Sequence, residues 1–181
     1  ATVTVVDRSH EVLRRMVSEF GTRVRTAFST KDAVEKLVTA ADLVIGTVLI
    51  PGAEAPKLVT REMVKAMKTG SVIVDVAIDQ GGCCETSRPT SHSEPTYVVD
   101  DVVHYCVTNM PGAVASTSTF ALNNATLPFA LSIADNGYRA ALARDPHLMA
   151  GLNVLDGKVT YKAVADALGY AFTPPEAALG L

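Results

Sequence analysis

The sequence predicts an α/β fold in which a parallel β-sheet is followed by C-terminal helices. Short apolar runs alternate with amphipathic segments through the first part of the chain, as in a parallel sheet covered on both faces. Residues 42–48 and 71–78 are almost continuously apolar, which is typical of strands buried on both sides. From Ser116 onward the pattern is helical, so we expect a boundary between residues 114 and 116.

The individual elements follow from local signals along the chain. Strands are predicted where β-branched and apolar residues run together, at residues 2–7, 24–27, 42–48, 71–78 and 102–107. Helices are predicted where apolar residues recur with a helical period, at residues 11–20, 33–41, 60–67, 116–134, 137–144 and 162–168. The polar segment 80–96 has no periodicity, which indicates an irregular surface excursion, and Asp156-Gly157 suggests a short hairpin.

Composition excludes several classes of protein. The 181 residues are 48% hydrophobic and 19% charged, which is enough apolar material for one ordinary core with or without an appendage. The net charge of -3 and the scattered cations disfavour nucleic-acid binding. No apolar run is long enough to span a membrane, and the N-terminus lacks the pattern of a secretion signal. We therefore predict a cytoplasmic protein without nucleic-acid or membrane partners.

Asp7 ends the first predicted strand, and ligands of open parallel sheets bind beyond such strand ends. In a dinucleotide-binding fold, an acid at the end of the second strand accepts hydrogen bonds from the adenosine ribose and disfavours a 2′-phosphate. Asp7 would then favour NAD over NADP, although the adjoining Arg8 argues the other way. The alternative is an Asp that only opens the turn to the next helix.

The glycine motif that binds the dinucleotide phosphates should precede such an acid by about 20 residues. The sequence enters a strand at once and contains no such motif before Asp7. We therefore expect a Rossmann-like parallel sheet lacking its first βα unit, within a piece of a longer protein.

Asp79 follows an apolar strand and precedes the flexible pair Gly81-Gly82. Its carboxylate could meet a ligand while the glycines let the backbone approach closely. The alternative is a turn Asp that accepts hydrogen bonds from its own backbone amides. Asn109, in the turn after the last strand, has the same two interpretations, and Met110 is also explained by core packing.

The cysteines and histidines do not form a recognisable metal-binding pattern. Cys83 and Cys84 are adjacent, so their side chains diverge, and no C-x-x-C pair accompanies them or Cys106. No His at an identifiable spacing supports a thiol nucleophile, and the serines of segment 80–96 lack the nucleophile-elbow glycines. We predict no metal site.

Three stretches resemble the C-terminal half of the bacterial alanine dehydrogenase family, and the resemblance extends over essentially all 181 residues. They are ADLVIGTVLIPGAEAPKLVTREMVKAMKTGSVIVD (41–75), AIDQGGCCETSRPT (77–90) and VTNMPGAVASTSTFALNNATLP (107–128). The related transhydrogenase alpha subunits share the LIPG, APKL and GSVIVD segments but are less similar after Asp79.

The resemblance implies an NAD-dependent, reversible oxidative deamination of L-alanine to pyruvate and ammonia, by two-domain subunits assembled as a homohexamer. It implies that Asp79 is the active-site carboxylate near the nicotinamide and the substrate amine. The cofactor-binding residues that it implies are Asp7 at the adenosine ribose, Ser29, Val48 and Leu49 on the adenine and ribose side, Val76 and Ile78 near the nicotinamide, and Val107, Asn109 and Met110.

The resemblance also implies two domains. Residues 1–114 would form part of the NAD-binding domain, and residues 115–181 a helical segment that packs on the substrate domain. The family's glycine motif and its substrate-domain His, Lys and Arg belong to the N-terminal half, so this piece alone would be inactive and would bind NAD poorly. The alternative is an NAD(H)-binding module without chemistry of its own, such as a transhydrogenase-like domain or one half of a split protein.

Overall fold

The computed structural model describes residues 1–52 and 54–181. They divide into two compact units, one formed by residues 1–49 and 55–108 and the other by residues 50–54 and 109–181. The first unit contains the strand ends at which a ligand site is predicted, apart from the turn that begins at Asn109.

The sheet strands of the first unit fall into two hydrogen-bonded groups. In the first group, β1 (Val3–Asp7) and β2 (Val24–Phe28) pair in parallel. The second group has four strands in the order β3-β4-β6-β5, namely β3 (Leu43–Gly46), β4 (Val72–Asp75), β6 (Val102–Tyr105) and β5 (Thr96–Val99). The first three of these are mutually parallel, and β5 lies antiparallel at the edge. These pairings confirm the predicted parallel sheet and add one antiparallel strand to it.

The three α-helices among the described residues of this unit all begin with a hydroxyl cap. They are α1 (His10–Phe20), α2 (Lys31–Ala40) and α3 (Arg61–Lys65). Ser9, Thr30 and Thr60 each accept a hydrogen bond from the backbone N–H three residues on. Such a cap contributes about 1 kcal/mol and fixes where the helix begins.

The core of the first unit lies between the four-stranded group and α3. Val64 on α3, Ile73 on β4 and Val102 on β6 are completely buried, and Met63 and Met67 pack into the same cluster. Burial of side chains of this size contributes roughly 1.5–3 kcal/mol each. Packing in this core holds β4, and therefore the start of the segment that follows it, in a fixed position.

Two local predictions are wrong in this unit. The strand predicted to reach Ile78 ends at Asp75, and Val76–Gln80 form a 3-10 helix because the Asp75 carboxylate accepts the Ala77 N–H. Strand β5 was not predicted. Its hairpin turns through Asp100 and Asp101, both with positive φ (48° and 60°), whereas the recognisable sequences for such a turn contain glycine.

The second unit is mainly helical, as predicted. Its helices are α4 (Ala115–Asn136), α5 (Tyr138–Arg144), α6 (Pro146–Met149), α7 (Lys162–Leu168) and α8 (Pro175–Leu179). The predicted hairpin is confirmed, with β7 (Val154–Leu155) paired to β8 (Lys158–Val159) and positive φ at Asp156 and Gly157. Helices α6 and α8 are too short to give a periodic signal.

No helix among the described residues has both the length and the apolar character required to cross a membrane.

Candidate functional site

The carboxyl ends of β3, β4 and β6 lie at one edge of their sheet because the three strands are parallel. Val48 and Leu49 follow β3, residues 76–79 follow β4, and Val107 follows β6. The fold therefore brings these predicted site residues to the same edge. Asp7 and Ser29 lie together at the corresponding end of the β1–β2 pair, where the Ser29 N–H donates to the Asp7 carbonyl oxygen at 3.0 Å.

Asp79 lies in the 3-10 helix that follows β4. Its neighbours Ala77 and Ile78 are buried and anchor this short helix, whereas the Asp79 side chain is exposed. Within the described part of the chain, its carboxylate has no hydrogen-bond or ion-pair partner. The carboxylate that caps this turn belongs instead to Asp75. Beyond the end of a buried strand, Asp79 therefore offers an exposed carboxylate that makes no hydrogen bond or ion pair with the described residues.

Asp75, at the end of β4, is completely buried. Its Oδ1 accepts hydrogen bonds from the Ala77 N–H at 3.1 Å and the Cys83 thiol at 3.5 Å. Its Oδ2 accepts from the Cys83 N–H at 2.9 Å, the Cys84 N–H at 3.2 Å and the Ser87 hydroxyl at 2.6 Å. Sequence reasoning placed this residue correctly in a strand, which it ends, but did not predict its role. The available signal was an acid inside the apolar run VIVDVAI, because a buried carboxylate requires compensating donors.

The glycine pair after Asp79 is held in place by a lysine from another segment of the chain. Lys57 Nζ donates hydrogen bonds to the carbonyl oxygens of Gly81 and Gly82, the latter at 2.8 Å. Gly82 is buried at φ +74°, and a Cβ there would lie 2.9 Å from Asp75 Oδ2. Gly82 is therefore needed to accommodate the buried carboxylate, whereas Gly81 is exposed.

Asp7 fulfils the turn-opening interpretation with one of its oxygens. Oδ1 accepts the Ser9 N–H at 2.7 Å, which leads the chain into α1. The side chain is half-buried. Within the described residues Oδ2 has no hydrogen-bond partner, so the carboxylate retains an oxygen that can accept a ribose hydroxyl. His10 stacks on Phe28 beside it, with ring centroids 4.8 Å apart.

The apolar residues predicted to contact the cofactor differ in exposure. Leu49 and Val76 are 66% and 44% exposed, so their side chains are available to a ligand. Ile78 and Val107 are buried, so only their backbone groups are available, and Val48 packs against the core. Asn109 and Met110 belong to the second unit, where Asn109 adopts a left-handed conformation before a 3-10 helix (Met110–Val114).

Asp75, Cys83 and Cys84 offer possible metal-binding atoms within 4.8 Å of one another. The contacts of Asp75, however, are hydrogen bonds from donors, and both thiols are buried. The hydrogen bond with Cys83, together with burial, raises the pKa of the Cys84 thiol well above its usual range. A protonated, buried thiol is a poor metal ligand and a poor nucleophile.

A second polar network fastens the excursion 80–96 to the sheet. His104 Nδ1 donates to the Val102 carbonyl oxygen at 2.9 Å, so its Nε2 accepts the Thr86 hydroxyl at 2.7 Å. Tyr97 stacks on His104 and donates to the Thr86 carbonyl oxygen at 2.9 Å. Burial lowers the pKa of His104, which is therefore neutral in this network.

The parallel strand ends define an α/β protein with an open sheet, a class whose ligands bind at the carboxyl edge, and the exposed carboxylate of Asp79 follows one of these strands. The chain belongs to the family described as "Alanine dehydrogenase/PNT, C-terminal domain", whose model matches residues 1–162. This match confirms the resemblance to the alanine dehydrogenase family that the sequence indicated.

Individual relatives agree with this assignment. The chain is 60% identical to the alanine dehydrogenase of Halomonas elongata over 180 residues, covering 99% of this chain and 48% of the relative. It is 54% identical to that of Bacillus subtilis, with the same shares covered. The chain thus spans about half the length of the curated relatives it matches.

Solved structures show the same relationship. An L-alanine dehydrogenase structure superimposes with a TM-score of 0.81 at 49% identity, over 93% of this chain and 46% of that one. A transhydrogenase from Sinorhizobium meliloti gives a TM-score of 0.56 at 32% identity, over 66% of this chain and 33% of that one. The predicted α/β fold is confirmed by the first of these structures.

Proposed function

We propose that this chain is the C-terminal part of an NAD-dependent L-alanine dehydrogenase, which converts L-alanine, NAD and water to pyruvate, ammonia and NADH. The observation that carries the proposal is the exposed, uncommitted Asp79 carboxylate beyond the end of β4, in a chain of this family. Leu49 and Val76, which follow β3 and β4, offer exposed apolar surface, and the Oδ2 oxygen of Asp7 at the end of β1 offers a ribose acceptor.

The residues present fit a nicotinamide dinucleotide, which when bound supplies the acceptor for the hydride of the alanine Cα. Asp79 would lie near the substrate amine, where it assists proton movement and stabilises the positive iminium centre as the hydride leaves. Asp7 would bind the adenosine ribose, and Ser29 would lie on the same side as Asp7. The backbone of residues 76–78 and Val107, with Asn109 and Met110, would complete the cofactor contacts.

Chain features support the proposed division into domains. Residues 1–114 would be part of the NAD-binding domain, and the edges of β1 and β3 that have no partner among the described strands would accept the strand of the first βα unit. Residues 115–181 would pack on the substrate domain, since Phe120, Leu122 and Leu131 on α4 are more than half exposed. The intact enzyme would be a cytoplasmic homo-oligomer, a hexamer by analogy with the family, and the chain alone would be inactive.

The role of Asp79 is tested by Asp79→Asn in the full-length protein that contains this chain. We expect kcat for NADH formation from L-alanine to fall at least about 100-fold, the usual contribution of a group that moves a proton. NADH binding, followed by fluorescence, should change little. Asp32→Asn, at an exposed acid on α2, is the matched control and should keep normal turnover. Near-normal turnover of Asp79→Asn would refute the proposed role.

The similarity to a transhydrogenase structure favours a second candidate, a module that binds NAD(H) without chemistry of its own. Calorimetry with NADH and an assay with L-alanine separate the two functions. Binding of NADH by the full-length protein with no turnover of L-alanine would support the module. For a split protein, sedimentation should show association of this chain with a separate N-terminal half.

A further inference from the structure

The position of Asp79 is determined by the backbone that carries it. Its side chain has no hydrogen-bond or ion-pair partner among the described residues, so nothing but residues 76–83 fixes where the carboxylate lies. These residues include two glycines with positive φ, Gly81 and Gly82, a composition that by itself favours flexibility. Lys57 holds the carbonyl oxygens of these glycines, and the amides that flank the segment are held by a second group.

One buried carboxylate holds both ends of this segment. Asp75 accepts the Ala77 N–H two residues before Asp79, and the Cys83 and Cys84 N–H groups four and five residues after it. The Ser87 hydroxyl, at 2.6 Å, binds the same oxygen as the two cysteine amides. The segment is thus closed into a loop around a single side chain that is completely buried.

The surroundings fit this carboxylate closely. A Cβ on Gly46, at the end of the neighbouring strand, would lie 2.2 Å from Cys83 Sγ and 3.5 Å from Asp75 Oδ1. The segment is also held at Gln80, whose carbonyl oxygen accepts a hydrogen bond from the Ala55 N–H at 2.8 Å. An Asn at position 75 would turn an NH₂ group toward N–H and O–H donors, so it cannot replace both acceptor oxygens.

We propose that Asp75 is a positioning residue for the reaction, acting through the backbone of residues 76–83 to place the Asp79 carboxylate. This inference rests on the proposed function of Asp79. Asp75 does not touch substrate or cofactor itself. Its effect on turnover should therefore depend on the presence of the Asp79 carboxylate.

A double-mutant cycle in the full-length protein tests this dependence. Asp75→Asn should lower kcat about 10- to 100-fold, as small misplacements of reacting groups do, with KM for L-alanine within about threefold. In the Asp79→Asn background the same change should lower kcat by less than about threefold. An equal loss in both backgrounds, or no loss with Asp79 present, would overturn the positioning role. If Asp79→Asn alone keeps normal turnover, both the proposed function and this inference fail.

Hydrogen–deuterium exchange without NAD gives a readout independent of activity. In Asp75→Asn the amides of residues 76–84 should exchange at least about tenfold faster than in the wild type. Val64→Ala, which removes a completely buried core side chain from α3, controls for general destabilisation. It should leave kcat within about twofold and should not accelerate exchange selectively in this segment. Equal exchange in the two variants would contradict the inference.

Ser87→Ala serves if Asp75→Asn does not fold, because it removes only one donor from the carboxylate. It should lower kcat about three- to tenfold, the range expected for one hydrogen bond, and have little effect in the Asp79→Asn background. An unchanged kcat in Ser87→Ala, with Asp79→Asn inactive, would refute the positioning role and leave the proposed function standing.

Discussion

At the scale of single residues, the two acids that follow one another in the sequence VDVAID have opposite environments. Asp75 is buried and accepts five donors, whereas Asp79 is exposed and has no partner within the described residues. The sequence pattern allowed Asp79 to be predicted because it stands at the end of an apolar run beside glycines. It concealed Asp75, since four of the five donors that make its burial favourable come from residues eight to twelve positions later.

Replacing Gly82 by alanine tests how much of the cost comes from a steric clash of the new Cβ and how much from the positive φ of the backbone. Gly82→Ala should destabilise the full-length protein by roughly 1–3 kcal/mol more than Gly70→Ala, because overpacking adds to the cost of positive φ. Gly82 and Gly70 have φ of +74° and +80°, but only at Gly82 would a Cβ meet other atoms within 4 Å. Thermal unfolding of both variants measures the difference. Equal losses of stability would show that the Asp75 carboxylate can move aside.

At the scale of elements, the α-helices other than α6 and α8 were predictable from caps and periodicity, and the central strands from apolar runs. The cap of α2, for example, lies in the predicted segment at Thr30. The 3-10 helix after β4 and strand β5 were not predictable, because a buried carboxylate and an Asp100-Asp101 turn without glycine determine them. The Asp75 carboxylate is buried because residues 83–87 supply most of its donors, whereas the Asp100-Asp101 turn is local but lacks the glycine by which such a turn is recognised.

The network of His104 should make the stability of the sheet depend on pH. Because burial lowers the pKa of His104 below 6.5 in the folded state, the unfolded chain takes up a proton first as pH falls. This contribution to stability is present above about pH 6.5 and is lost below it. His104→Asn, which keeps a donor for the Val102 carbonyl oxygen, should reduce the loss of Tm between about pH 7.5 and 5.5. A loss of Tm as large as that of the wild type would exclude His104 as its source.

At the scale of the whole chain, the described residues leave most of the surface of helix α4 exposed. Its 22 residues include no buried side chain, and its apolar residues face several directions. A helix that is apolar on all sides is normally surrounded by protein. The sequence showed that the helix exists but could not show what covers it.

The proposed packing of α4 on the substrate domain can be tested with a charge. Phe120→Asp, at a position 69% exposed in this chain, should lower the Tm of the full-length protein by several degrees, as loss of roughly 2 kcal/mol of apolar burial does. Asn124→Asp introduces the same charge at an exposed polar position of α4 and should have little effect. Indistinguishable Tm values for the two variants would contradict the packing of Phe120 in the intact protein.

The burial of the cysteines also has a practical use. Cys83, Cys84 and Cys106 are 2%, 0% and 0% exposed, and Cys83 and Cys84 lie in the loop around Asp75. A thiol-reactive dye can therefore modify this chain only when the sheet or that loop opens. The rate of labelling would report such openings in the native protein without an introduced probe.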